Sequence, residues 1–237
     1  TINDVKTICG WARAAGALSF VDAVQYVPHG PVDVQALGCD FLACSAYKFF
    51  GPHIGILYGR YDLLDKIRAY KVRPAHDNPP DKFETGTQSH EGIAGTLAAI
   101  DYLASLGSVA GESNTNRCSN LLRAMAAIED YDRTLSAAIL DELETIDGVQ
   151  VHGITDRGRL AERVSTVSFT WEGRSPRQIA EALGQQGIFV WDGNYYALAV
   201  SERLGVEQSG GMVRIGAVHY NTLDEIRRLG AALRALR

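Results

Sequence analysis

Two short apolar runs, residues 17–21 and 41–44, are separated by about one helix and its turns, and this spacing restricts the first third of the chain. Ahead of them, Val5, Ile8, Cys9 and Ala12 share one helical face, and Gly16 is a natural stop. Residues 17–21 then read as a buried strand with Asp22 at its carboxyl end. A short helix over 32–37 leads to a second strand at 41–44, and residues 54–58 make a third. Crossovers this short predict an α/β unit built on a mostly parallel sheet covered by helices. In such sheets, ligands collect at the carboxyl ends of strands. Asp22 and the run Ser45, Ala46, Tyr47, Lys48 are both expected there.

The rest of the chain reads differently. Residues 71–82 (KVRPAHDNPPDK) form a proline-rich connection, followed by Phe83-Glu84-Thr85-Gly86-Thr87-Gln88 and a helix with Ile93, Leu97, Ile100 and Leu103 near one face. A Gly/Ser/Asn-rich break over 107–116 is taken as the domain boundary, giving domains 1–108 and 109–237. Beyond it come a long helix over 117–146, strands at 149–153 and 164–171, and a helix from Ser175-Pro176. After the segment 188–196 come a strand at 212–216 and a last helix opened by Asn221 or Thr222. This pattern predicts a smaller α+β domain with helices on one face of its sheet.

Composition narrows the partners. A net charge of -5 without a basic run argues against nucleic acid. No apolar stretch is long enough to span a bilayer, and the first residues carry no signal-peptide pattern. Cys9, Cys39, Cys44 and Cys118 show no Cys-x-x-Cys spacing and read as free thiols of a reducing, cytoplasmic compartment. The six histidines lack ligand-like pairing, so no metal site is expected, and His29 and His53 read as structural.

A lysine, an acid and small hydroxyls at adjacent strand ends are the groups needed to hold pyridoxal phosphate. The amine forms a Schiff base and the acid protonates the pyridine nitrogen. Four segments, VDAVQYVPHGPVDVQALGCDF, SAYKFFGPHIGILYG, FETGTQ and VRIGAVHYNT, occur in order over nearly the whole chain. Together they resemble the class V, fold type I pyridoxal-phosphate enzymes, in the branch of cysteine desulfurases and selenocysteine lyases. The resemblance implies part of a fold type I large domain, with a mostly parallel sheet and helices on both faces, followed by a smaller C-terminal domain. It also implies a homodimer acting on an α-amino acid.

By that resemblance Lys48 carries the cofactor and shuttles the Cα proton, and Asp22 pairs with the pyridine nitrogen. Gln25 bonds the phenolic oxygen, Ser45 binds the phosphate, and Tyr47 stands where histidine is common, its hydroxyl able to reach the phosphate. Gly86 and Thr87 reach the phosphate of the neighbouring subunit, and Arg214 forms a bidentate pair with the substrate carboxylate.

Two departures bear on the reaction and the extent of the site. Where a desulfurase has its loop cysteine, in residues 190–197 (VWDGNYYA), this chain has Tyr196, and a phenol cannot accept sulfur. Transamination, racemisation and β-elimination all stay open. Family members also carry a long N-terminal region ahead of the segment matching residue 1. The chain is therefore expected to be one piece of a protein of ordinary family length, and to hold the cofactor poorly without that region. The alternative from another class is a non-catalytic relative that keeps the fold for dimerisation or partner binding.

Overall fold

The computed structural model describes residues 1–108 and 116–236. The chain divides into two compact units, one of residues Asn3–Ala127 and one of Thr1–Ile2 with Ile128–Arg237. The boundary expected between residues 108 and 109 falls against residues 109–115, outside the described residues. Among the described residues no helix is long and apolar enough to cross a membrane.

The first unit opens with α1 (Val5–Ala14), where the Asp4 side chain accepts the Thr7 amide hydrogen bond at 3.2 Å. Next come β1 (Phe20–Asp22), α2 (Val34–Leu37), β2 (Phe41–Ser45) and β3 (Gly55–Gly59). Helices α3 (Tyr61–Lys66), α4 (His90–Leu106) and the start of α5 (Arg117–Glu144) follow. The sheet order is β1-β2-β3. Strands β1 and β2 are parallel, with Asp22 opposite Ala43, as the spacing predicts. Strand β3 departs from that pattern and runs antiparallel to β2, pairing Ser45 with Gly55 and Phe41 with Gly59. Residues 46–54 are too few for the dozen or so that a parallel crossover needs, so the chain must turn back beside β2.

Period-two alternation sorts this sheet into two faces. Val21, Leu42 and Tyr58 lie on one, packed with Cys9 of α1, Val34 and Leu37 of α2, and Ala23 and Cys39. Phe20, Asp22, Phe41, Ser45 and Leu57 lie on the other. There Phe20 stacks on Phe41, yet Phe20 remains 64% and Leu57 60% exposed. Helices α1 and α2 pack on the first face, and Phe20 and Leu57 leave part of the second open.

At the amino ends of β1 and β2, Asp40 is the fastening. Its carboxylate accepts hydrogen bonds from the Ser19 amide (2.8 Å), the Ser19 hydroxyl (3.0 Å) and Arg60 (2.9 Å). The Ser19 hydrogen bonds, with Arg60 beside them, hold the Asp40 carboxyl below its ordinary pKa. A carboxyl depressed on folding stabilises the fold above its unfolded pKa, and that contribution is lost as pH falls through the folded value. Asp40→Asn should therefore lower the melting temperature by several degrees near neutrality. The gap to the wild type should close as melts are run at progressively more acid pH below the carboxylate range.

The second unit is a four-stranded antiparallel sheet in the order β4-β5-β7-β6. Its strands are β4 (Val149–His152), β5 (Thr166–Trp171), β6 (Trp191–Gly193) and β7 (Met212–Gly216). One face, with Val167, Phe169, Val213 and Ile215, is sealed by the latter part of α5, by α6 (Pro176–Gly184) and by α8 (Leu223–Ala235). This matches the expected α+β unit with helices on one face. Helices α6 and α8 start at capping boxes, Ser175 with Gln178 and Thr222 with Glu225. The remaining short helix, α7 (Leu198–Arg203), follows β6.

Candidate active site

The carboxyl ends of the parallel pair bring three of the sequence-predicted residues to one edge. Asp22 ends β1, and Ser45, two residues beyond its register partner Ala43, ends β2 on the same face. Lys48 lies in the 3-10 turn (Ala46–Phe49) that follows directly. The Val24 amide donates to one Asp22 oxygen at 2.9 Å, and the second oxygen takes no hydrogen bond among the described residues. The Ser45 side chain makes no capping bond to the turn below it. Gln25 is exposed just past Asp22.

The turn is pinned from both sides. The Ala46 amide donates to the Ile54 carbonyl, and the Gly51 amide to the Ala46 carbonyl, each at 2.8 Å. Lys48 is half-buried, with Nζ 5.1 Å from the centre of the Tyr47 ring. Tyr47 in turn stacks on His53 at 5.0 Å between ring centres. Among the described residues no carboxylate lies within ion-pair distance of Lys48. Other lysines of this unit are engaged: Lys71 pairs with Asp77 at 2.8 Å, and Lys82 is buried and donates to the Asp65 carbonyl at 2.8 Å. His29 is buried, in line with a structural role.

Gly86 and Thr87 lie in the exposed approach to α4, whose first turn is capped by Ser89. That helix lies close against the stretch after the Lys48 turn because residue 92 has no side chain: a Cβ there would meet Ile54 Cδ1 at 2.4 Å. Gly86 itself has φ +86°, with nothing within 4 Å of where a Cβ would stand.

Arg214 belongs to the other unit. It sits on β7 between Val213 and Ile215, so alternation puts it on the face away from the helices, opposite Ser168 of β5 and Trp191 of β6. Its guanidinium lies 4.8 Å from the centre of the Tyr195 ring and 5.9 Å from that of Trp191. No carboxylate is within ion-pair distance of it among the described residues. Burial pushes the Tyr195 phenol well above its ordinary pKa, so it stays neutral at physiological pH. Beside these rings is a shallow depression of about 380 Å³, lined by Trp191, Asp192, Asn194, Tyr195, Tyr196 and Glu207. Tyr195 and Trp191 had no assigned role in the sequence. Only the β6–β7 register could have shown that Trp191 faces Arg214, and only the turn after β6 that Tyr195 does.

The segment that carries Tyr196 is tightly built. Tyr195 and Tyr196 both have positive φ, +54° and +62°, which is unusual for side chains of this size. The Asn194 side chain accepts from the Tyr196 amide at 3.2 Å and donates to Glu207 at 3.1 Å, and Glu207 also holds the Ser201 hydroxyl. Tyr196 is fully exposed. All four cysteines lie in the other unit; Cys9 and Cys39 are buried and Cys118 is exposed.

Comparison with known proteins agrees over the full length. The family described as aminotransferase class-V matches residues 1–229. A probable cysteine desulfurase 2 of Mycobacterium leprae is 33% identical over 248 aligned positions, covering 99% of this chain and 54% of that protein. A cysteine desulfurase of Serratia proteamaculans is 31% identical, covering all of this chain and 55% of that protein. Among solved structures, the apo cysteine desulfurase of Thermococcus onnurineus superposes with a TM-score of 0.81 at 29% identity, over 98% of this chain and 55% of that one. A cysteine desulfurase of Escherichia coli gives 0.80 at 27%, with the same coverage. The chain thus spans about half the length of the relatives it matches.

Proposed function

We propose that this chain, which belongs to the class-V aminotransferase family, is the lysine-bearing part of a pyridoxal-phosphate-dependent enzyme acting on an α-amino acid. The observation that carries this reading is the meeting of Asp22, Ser45 and Lys48 at the carboxyl ends of β1 and β2. The donor set fits the group. Among the described residues there is a carboxylate oxygen without a hydrogen-bond partner for a protonated ring nitrogen, a hydroxyl without capping duty for a phosphate, and an amine without a carboxylate partner for an aldehyde. When bound, pyridoxal phosphate supplies an electrophilic carbon and a ring that accepts the electron pair left at Cα.

The chain's own residues do the rest. Lys48 would hold the cofactor through Nζ and, when neutral, would take and return the Cα proton. Asp22 would keep a proton on the ring nitrogen. Ser45 and Tyr47 hold the phosphate, and Gln25 the phenolic oxygen of the ring. Gly86 and Thr87, exposed ahead of α4, complete the phosphate site of a neighbouring subunit in a homodimer, and Arg214 takes the substrate carboxylate. The four free thiols suit a cytoplasmic setting.

Tyr196, not a thiol, occupies the turn after β6, and this favours Cα chemistry other than sulfur transfer: aminotransfer, racemisation or β-elimination. The full-length protein incubated with L-cysteine should form no alanine at the expense of its sulfur and should carry no persulfide by mass spectrometry. Other amino acids should still shift its visible absorbance. Sustained release of sulfide and alanine would overturn the first part of this proposal. A colourless protein that ignores added pyridoxal phosphate would overturn all of it.

A further inference from the structure

We infer that Tyr195, with Trp191, is the positioning residue that aims the Arg214 guanidinium, and so sets how strongly the site selects a carboxylate. This rests on the role proposed above for Arg214. A long arginine side chain on an open sheet face would ordinarily sample many rotamers, or be held by an acid. Here no carboxylate is within ion-pair distance among the described residues, and two aromatic rings lie against it instead, at 4.8 and 5.9 Å. Aromatic rings attract a guanidinium without taking up its N–H groups; those of Arg214 make no hydrogen bond among the described residues, and they are what a carboxylate binds in a two-pronged pair.

The backbone is bent to supply this ring. Trp191 comes for free, since it is the register partner of Arg214. Tyr195 does not, because it lies past the end of β6. Positive φ at both Tyr195 and Tyr196, stabilised by the Asn194 and Glu207 contacts, leaves the first ring against Arg214 and the second fully exposed. Strain of this kind persists only where surrounding contacts enforce it, and it gathers at functional sites. The ring is the active part of Tyr195. Its hydroxyl is buried beside Ser168 without a well-formed hydrogen bond, so phenylalanine should replace it at no loss.

The test uses the full-length protein with its cofactor, titrated by absorbance with L-alanine and with ethylamine, which lacks the carboxylate. Tyr195→Leu should weaken L-alanine binding about tenfold, the equivalent of one favourable cation–π contact, and leave ethylamine unchanged. Tyr195→Phe should stay within about twofold of the wild type for both. A second readout needs no cofactor: phenylglyoxal labelling of Arg214, followed by mass spectrometry, should speed up in Tyr195→Leu and not in Tyr195→Phe. If Arg214→Ala loses the preference for L-alanine while Tyr195→Leu keeps it, Tyr195 has no positioning role and the assignment of Arg214 stands. If Arg214→Ala itself keeps the preference, the carboxylate assignment falls, and the inference with it.

Discussion

A Lys48→Ala protein should carry no covalently attached pyridoxal phosphate and should lose at least about 10³-fold in turnover, the middle of the range for removing a general base alone. The check is borohydride reduction followed by peptide mass spectrometry: the wild type should show the cofactor's mass on the peptide containing residues 41–59, and the variant on none. Lys48→Arg should be as inactive, because a guanidinium keeps its charge and offers no neutral nitrogen to attack an aldehyde. The fold should survive, since Lys48 is half-buried and, among the described residues, makes neither an ion pair nor a capping bond. Lys71 and Lys82 are internal controls, the first paired with Asp77 and the second buried against a carbonyl. An adduct moving to either would mean that the strand-end arrangement does not select its amine.

A large stability loss is expected at Gly211→Ala. A Cβ there would stand 2.2 Å from the Gly193 carbonyl oxygen and 2.3 Å from its carbon, and both are backbone atoms that cannot swing aside. Its φ of +83° adds strain that no L side chain avoids. Together these should cost at least about 3 kcal/mol, or roughly 10 °C in melting temperature for a chain of this size. Gly193→Ala separates the two causes. It also has positive φ, +107°, but nothing within 4 Å of the added carbon, so only about 1 kcal/mol should be lost. Near-equal losses would mean that the close approach of residues 193 and 211 is not what locks the end of β6 against β7.

These two cases differ in how far sequence could anticipate them. Asp22, Ser45 and Lys48 are legible because each stands at the end of a short apolar run, and strand ends are local features. The starts of α6 and α8 are legible for a similar reason, since Ser175–Gln178 and Thr222–Glu225 are capping pairs within one turn. Helices α3 and α7 are not: each is six residues long, too short for a helical period, and neither has a side-chain cap. The direction of β3 escapes because alternation looks the same whichever way a strand runs. Tyr195 escapes because the positive-φ turn after β6 brings its ring to Arg214, and nothing in the spacing of residues 190–197 indicates that turn. Gly86 and Thr87 were legible only through family resemblance, and within their own unit they remain exposed.

The reversal of the chain between β2 and β3 bears on how the Lys48 amine can move. Five residue pairs of that hairpin, from Phe41 with Gly59 to Ser45 with Gly55, close immediately below the Lys48 turn. Displacing the backbone at residue 48 would mean breaking the hydrogen bonds that tie Ala46 to Ile54 and to Gly51 at the closed end of that hairpin. The amine therefore travels only by rotation about its own methylene stem, a jointed arm on a fixed mount. Its reach is set by side-chain length, and its return to the same place is assured by the hairpin.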